Sequence, residues 1–132
     1  TAWEILSEHE RISLLDPVDV EQTHNLMKKS YLIITDSGGL QEEAPSLGKP
    51  VIVTRNETER QEAVDAGTVK LAGTNKKRII ELTSMLLEDP VEYNRMAKAV
   101  NPYGDGHASE RIVKALLYEF GYSREKPEEF GK

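Results

Sequence analysis

Apolar residues along the chain fall into short runs separated by polar stretches of helical character. Tyr31-Leu32-Ile33-Ile34-Thr35 is the strongest run, followed by Val51-Ile52-Val53-Thr54 and Thr68-Val69-Lys70-Leu71. Runs that are apolar on both faces fit parallel strands covered by helices on each side. Ile12-Ser13-Leu14-Leu15, halted by the turn pair Asp16-Pro17, is read as an earlier strand of the same set. Helices are predicted over residues 3–10 and 19–29, from the Gly38-Gly39 pair to residue 47, and over 59–66. Gly48-Lys49-Pro50 and Gly67 supply the stops. Further on, Ile79, Ile80, Leu82, Leu86 and Leu87 recur at helical spacing, as do Ile112, Val113, Leu116, Leu117 and Phe120. Another helix, over 91–100, lies between them. Residues 123–132 are charged, contain Gly and Pro, and are predicted to fray.

Strands alternating with helices at short spacing predict right-handed crossovers and an α/β fold, a Rossmann-like parallel sheet with helices on both faces. Residues 1–121 form its single unit and 122–132 a charged tail. In such sheets ligands sit beyond the carboxyl ends of the strands, which directs attention to the loops after Leu15, Thr35, Thr54 and Leu71.

Composition narrows the partners. The 132 residues suffice for one domain with a real core. With 17 basic and 23 acidic residues the net charge is −6, which argues against a polynucleotide or an anionic membrane as the main partner. The absence of cysteine excludes a disulfide frame, a thiolate nucleophile and a zinc ribbon. No apolar run is long enough to span a membrane, and Thr1-Ala2-Trp3-Glu4 does not resemble a signal peptide, so a cytoplasmic location is expected. The chain opens at Thr1 without methionine, as a segment of something longer would. His9, His24 and His107 are scattered without ligand spacing and read as surface or half-buried residues; no metal and no cofactor are expected.

The chemistry concentrates in two loops. Ser37-Gly38-Gly39 follows the best strand: glycines admit an anion to the backbone, the hydroxyl adds a donor, and the next helix offers unpaired N–H groups. The same residues also fit a plain N-cap and tight turn. Glu42 and Glu43 lie in the first turns of that helix, where the dipole alone favours acids. Glu43, one turn past the glycines, also suits the paired hydroxyls of a ribose. Pro45 inside the helix breaks a local rule at a cost of up to about 3 kcal/mol, and such breaks gather at functional sites. After the next strand, Arg55 and Arg60 either neutralise a diphosphate or belong to a solvated turn capped by Thr58. Asn101-Pro102-Tyr103-Gly104-Asp105-Gly106-His107 reads only as a dense turn.

Thr35-Asp36-Ser37-Gly38-Gly39-Leu40-Gln41-Glu42-Glu43-Ala44-Pro45-Ser46-Leu47-Gly48-Lys49-Pro50 resembles the signature of the non-hydrolysing UDP-N-acetylglucosamine 2-epimerases. Thr58-Glu59-Arg60, Ala66-Gly67-Thr68-Val69 and Asn101-Pro102-Tyr103-Gly104-Asp105-Gly106 resemble further stretches of that family in the same order. The resemblance covers roughly residues 12–120 and matches the family's carboxyl-terminal half. It implies one half of a GT-B type two-domain enzyme that interconverts UDP-N-acetylglucosamine and UDP-N-acetylmannosamine without metal or nicotinamide. It further implies a homodimer, with UDP-N-acetylglucosamine or UDP as ligand. Carried over by residue, Ser37, Gly38 and Gly39 bind the diphosphate, Glu43 the ribose hydroxyls and Arg60 the phosphates. The segment after Leu15 forms the uracil pocket, to which Val18 contributes backbone. Thr23 stands near the base where the family often has an aromatic residue, and Gln61 where proline usually follows the arginine. The family's acid–base carboxylates belong to segments before Thr1, so no catalytic residue is expected here. Two other classes share parts of the pattern. A GT-B glycosyltransferase shares the fold and the acidic helix residue, and a non-catalytic phosphate-binding α/β module, such as a receiver, is invited only by Asp36 at a strand end.

Overall fold

The computed structural model describes residues 1–130. Gly131 and Lys132, the last two positions of the tail read from the sequence, lie outside the described residues. The elements are α1 (Ala2–Leu6), α2 (Val20–Lys29), β1 (Ile33–Thr35), α3 (Gly38–Ser46), β2 (Val51–Val53), α4 (Gln61–Asp65), β3 (Val69–Leu71), α5 (Lys76–Glu88), α6 (Pro90–Ala97) and α7 (Ala108–Glu119). The strands run parallel in the order β1-β2-β3, with Ile33 beside Val51 and Val51 beside Val69. Alternation along β2 divides the core. Val51 and Val53 pack with Met27, Ala44, Ala63 and Val69 on one face. Ile52 packs with Ala72, Leu82, Leu86 and Met96 on the other. An apolar strand buried on both sides requires helices on both sides, and the sheet has them.

Short polar residues start the helices that follow loops. The side chains of Asp19, Ser37, Asn75 and Asp89 each accept a backbone N–H in the first turn of α2, α3, α5 and α6. Gly48, at φ 67°, occupies the left-handed conformation that ends α3 and aims the chain into β2.

Two expectations are corrected. Residues 12–15 form no strand, and Ile12 and Leu15 are exposed. An apolar run becomes a strand only where a neighbour completes its hydrogen bonds, and no described strand lies against this one. The first helix stops at Leu6 rather than residue 10, as a short helix without a packed face does. The stripe of α7 is also left open: Ile112, Val113, Leu116 and Leu117 are all exposed, and α7 buries no residue. Along it runs the tail, with no helix or strand over 123–130, and the Arg111 guanidinium lies 5.5 Å from the Phe130 ring centre. No helix among the described residues is long and apolar enough to cross a membrane.

One ion-pair cluster ties the sheet to its cover. Lys70 of β3 reaches Glu92 of α6 at 2.9 Å, and Arg95 holds the same carboxylate at 2.7 Å. Arg95 first, then Lys70, pull the Glu92 carboxyl down to about 2 from an ordinary 4.5. A depressed carboxyl stabilises the fold above its unfolded pKa, and that contribution disappears as pH falls through the folded value. Urea midpoints between pH 6 and pH 2 are therefore expected to fall for the parent through the window from about 4.5 to about 2. The Glu92→Gln variant, less stable at pH 6, should show a shallower decline there.

Candidate functional site

Beyond Thr35 the chain turns once and enters α3. The Ser37 N–H donates to Thr35 Oγ1 at 3.0 Å, and Ser37 Oγ accepts the Leu40 N–H at 3.5 Å, so Ser37 is the N-cap. Gly38 and Gly39 are the first two helical residues, and neither has positive φ. They do not make the tight turn read from the sequence. Their value is proximity: they leave the first-turn N–H groups of α3 without a side chain in front.

What stands in front of that turn is charged. A side-chain carbon placed on Gly38 would lie 2.8 Å from Oε1 of Glu59 and 3.9 Å from Nη2 of Arg60. One placed on Gly39 would lie 3.7 Å from Oε1 of Glu43 and 3.9 Å from Ser37 Oγ. The Glu59 carboxyl is held below the usual range, first by its own backbone N–H and then by Arg55 and Arg60. Arg55 pairs with it at 3.0 Å. Arg60 Nε donates to Glu42 Oε1, and that bond raises the Arg60 pKa. Two cations thus stand at the mouth of α3, each paired with a carboxylate.

A buried amide links the two loops. Gln41 is fully buried; its Nε2 donates to the Ser37 carbonyl at 3.2 Å, and its Oε1 accepts the Thr58 hydroxyl at 2.6 Å. Thr58 Oγ1 in turn accepts the Arg60 N–H at 3.1 Å. Ser37 and Arg60, from loops after different strands, are positioned through one glutamine. Sequence reading passed over Gln41; a polar side chain four residues after an N-cap serine was the available signal. It also drew no chemistry from the 101–107 turn, which delivers Tyr103 beside Arg60, Glu42 and Glu62. Burial first, and Glu62 next, raise the Tyr103 pKa, while a hydrogen bond from the Ala63 backbone opposes the rise. Pro45 is buried in the last turn of α3, where it offers no N–H to the Gln41 carbonyl, and the Leu47 and Gly48 N–H groups close on the Ala44 and Pro45 carbonyls.

Of the residues singled out from sequence, Ser37, Gly38, Gly39, Glu43 and Arg60 converge on the first turns of α3. Val18 does not join them. It lines an apolar hollow of about 390 Å³ with Leu15, Gln22, Asn25, Leu26 and Lys29. The Thr23 hydroxyl is turned back onto the Asp19 carbonyl at 2.8 Å. Asn25 also borders the neighbouring cavity of about 230 Å³, formed between α2 and α3 by His24, Lys28, Glu43, Ser46 and Leu47.

A parallel sheet covered on both faces, with a glycine-opened helix start beyond a strand's carboxyl end, a carboxylate one turn on and arginines alongside, defines a Rossmann-like α/β unit. Residues 1–117 match the model of the UDP-N-acetylglucosamine 2-epimerase family, and the chain belongs to that family. It is 56% identical over 121 residues to the UDP-N-acetylglucosamine 2-epimerase of Bacillus subtilis, covering 92% of this chain and 32% of that protein. Among solved structures, the S. aureus MnaA–UDP co-structure superposes with a TM-score of 0.87 at 53% identity, over 98% of this chain and 36% of that one. The Neisseria meningitidis UDP-GlcNAc 2-epimerase bound to UDP-GlcNAc gives 0.83 at 51% identity, over 87% and 31%. The chain spans about a third of the length of the relatives it matches.

Proposed function

We propose that these residues are the carboxyl-terminal, UDP-binding part of an enzyme that interconverts UDP-N-acetylglucosamine and UDP-N-acetylmannosamine, with 1–121 as the folded unit and 122–132 as its tail. The reading rests on one observation: Ser37, Gly38, Gly39, Glu43 and Arg60 meet at the first turns of α3. The N–H groups there and the Ser37 hydroxyl take the diphosphate, and Arg60 exchanges Glu42 for a phosphate oxygen. Glu43 accepts from the ribose hydroxyls. The uracil lies towards the Val18 backbone, with Thr23 near the base.

In the reaction, the C2 proton of the sugar is removed as the C1–O bond to UDP breaks, giving 2-acetamidoglucal and UDP. A proton then returns to C2 on the opposite face as UDP re-adds to C1. The proton-transferring groups belong to the other half of a GT-B pair, and general acid–base chemistry needs them within hydrogen-bond reach. Family resemblance extends the proposal to a cytoplasmic homodimer. In heavy water the full-length enzyme should place deuterium at C2 of UDP-N-acetylglucosamine, and the 132-residue chain alone should place none. Incorporation by the isolated chain would overturn the division of labour. Ser37→Ala and Glu43→Ala should each weaken UDP binding in calorimetry; if both bind as tightly as the parent, the site assignment is wrong.

A further inference from the structure

His24 does more than decorate the surface of α2. Its Nε2 lies 2.9 Å from Oε2 of Glu43, across the gap between α2 and α3. That is the one hydrogen bond the Glu43 carboxylate makes among the described residues. The two oxygens are thereby differentiated. Oε2 is fixed on the imidazole, and Oε1 faces the first turn of α3, 3.7 Å from where a Gly39 side chain would begin. Both partners are about half exposed, at 50% and 46%. An exposed pair of this kind adds little to folding stability. Its consequence is orientation: a glutamate on a helix face has several free torsions, and an anchored one is already aimed when a ligand arrives.

We propose that His24 is a positioning residue that presents Glu43 to the ribose, and so sets the preference of the site for ribo- over 2′-deoxyribonucleotides. The proposal rests on the reading above that Glu43 meets the ribose hydroxyls. The neutral tautomer protonated on Nε2 donates to the carboxylate, as does the imidazolium. Glutamine places a donor at a similar reach, whereas leucine keeps bulk without one.

The test is calorimetry on the full-length enzyme with UDP, 2′-deoxy-UDP and inorganic pyrophosphate as probes. The parent should prefer UDP to 2′-deoxy-UDP, and Glu43→Ala, which removes the acceptor, should lose that preference. His24→Leu should weaken UDP by about threefold to tenfold, the worth of one hydrogen bond, with 2′-deoxy-UDP weakened less and pyrophosphate unchanged. His24→Gln should restore most of the preference. If Glu43→Ala abolishes the preference and His24→Leu retains it, the positioning role is wrong and the ribose reading stands. A Glu43→Ala variant that keeps the preference removes the ribose reading, and this inference with it. Equal weakening of all three probes by His24→Leu, or a His24→Gln variant as impaired as His24→Leu, assigns His24 a merely structural part and overturns the proposal.

Discussion

Gly38→Ala should melt at or above the parent's temperature and yet bind UDP at least about tenfold more weakly, a loss of about 1.4 kcal/mol. The two effects separate because the position is helical and not turned. Gly38 opens α3 with ordinary φ, so alanine meets no backbone strain and gains helix propensity, worth up to about 1 kcal/mol. The atom nearest the new methyl is Oε1 of Glu59 at 2.8 Å, the far end of a side chain at the exposed rim. That carboxylate swings away at small cost. A diphosphate has no such freedom. It must approach the same first-turn N–H groups, where an amide bond to a charged oxygen is worth about 1.5–3 kcal/mol, and the methyl holds it off. Glu59 already marks the place as one that accepts negative charge, held there by Arg55 and Arg60. Thermal melting and calorimetry on one preparation decide the matter. A variant that keeps the parent's UDP affinity would show that the phosphates do not reach Gly38.

The strands and most helices were legible because their signals are local. Val51-Ile52-Val53 is apolar at every position and stands at the centre of the sheet, and Asp19, Ser37, Asn75 and Asp89 announce helix starts by type. What failed depended on partners that a run of residues does not carry. Ile12-Ser13-Leu14-Leu15 has strand composition and no strand beside it; α7 has a core-like stripe and no described core against it. That Ser37, Gly38, Gly39 and Glu43 lie together at the start of α3 was legible because a strand, a glycine pair and a helix start follow one another in sequence. Arg60 was legible as a charge at a strand end, though its pairing with Glu42 was not, since the pair joins the loop after β2 to α3, 18 positions away. Gln41 and His24 escaped for the same reason: each acts through a residue 17 or 19 positions away.

Gln41 carries the second large effect. Gln41→Leu fills the same buried space but removes both ends of the link, the donor to the Ser37 carbonyl and the acceptor for the Thr58 hydroxyl. A part-buried hydroxyl without its acceptor costs about 1–3 kcal/mol, which should appear as a lower urea midpoint at unchanged slope. Removing the hydroxyl as well tests whether this is the cause. In the double variant Gln41→Leu/Thr58→Val the orphaned group is gone, so the combined loss should be smaller than the sum of the two single losses. Recovery will be partial, because Thr58 Oγ1 also accepts the Arg60 N–H at 3.1 Å. UDP affinity should follow a different course. Ser37 and Arg60 are placed relative to each other through this link, and filling the gap with apolar groups does not rebuild it. The double variant is therefore expected to recover stability over Gln41→Leu while its UDP binding stays weak, by about tenfold against the parent, or about 1.4 kcal/mol. Strict additivity in the urea cycle would remove the Gln41–Thr58 bond from the account of stability. Parent-like UDP binding by the folded double variant would show that the two loops hold their spacing without it.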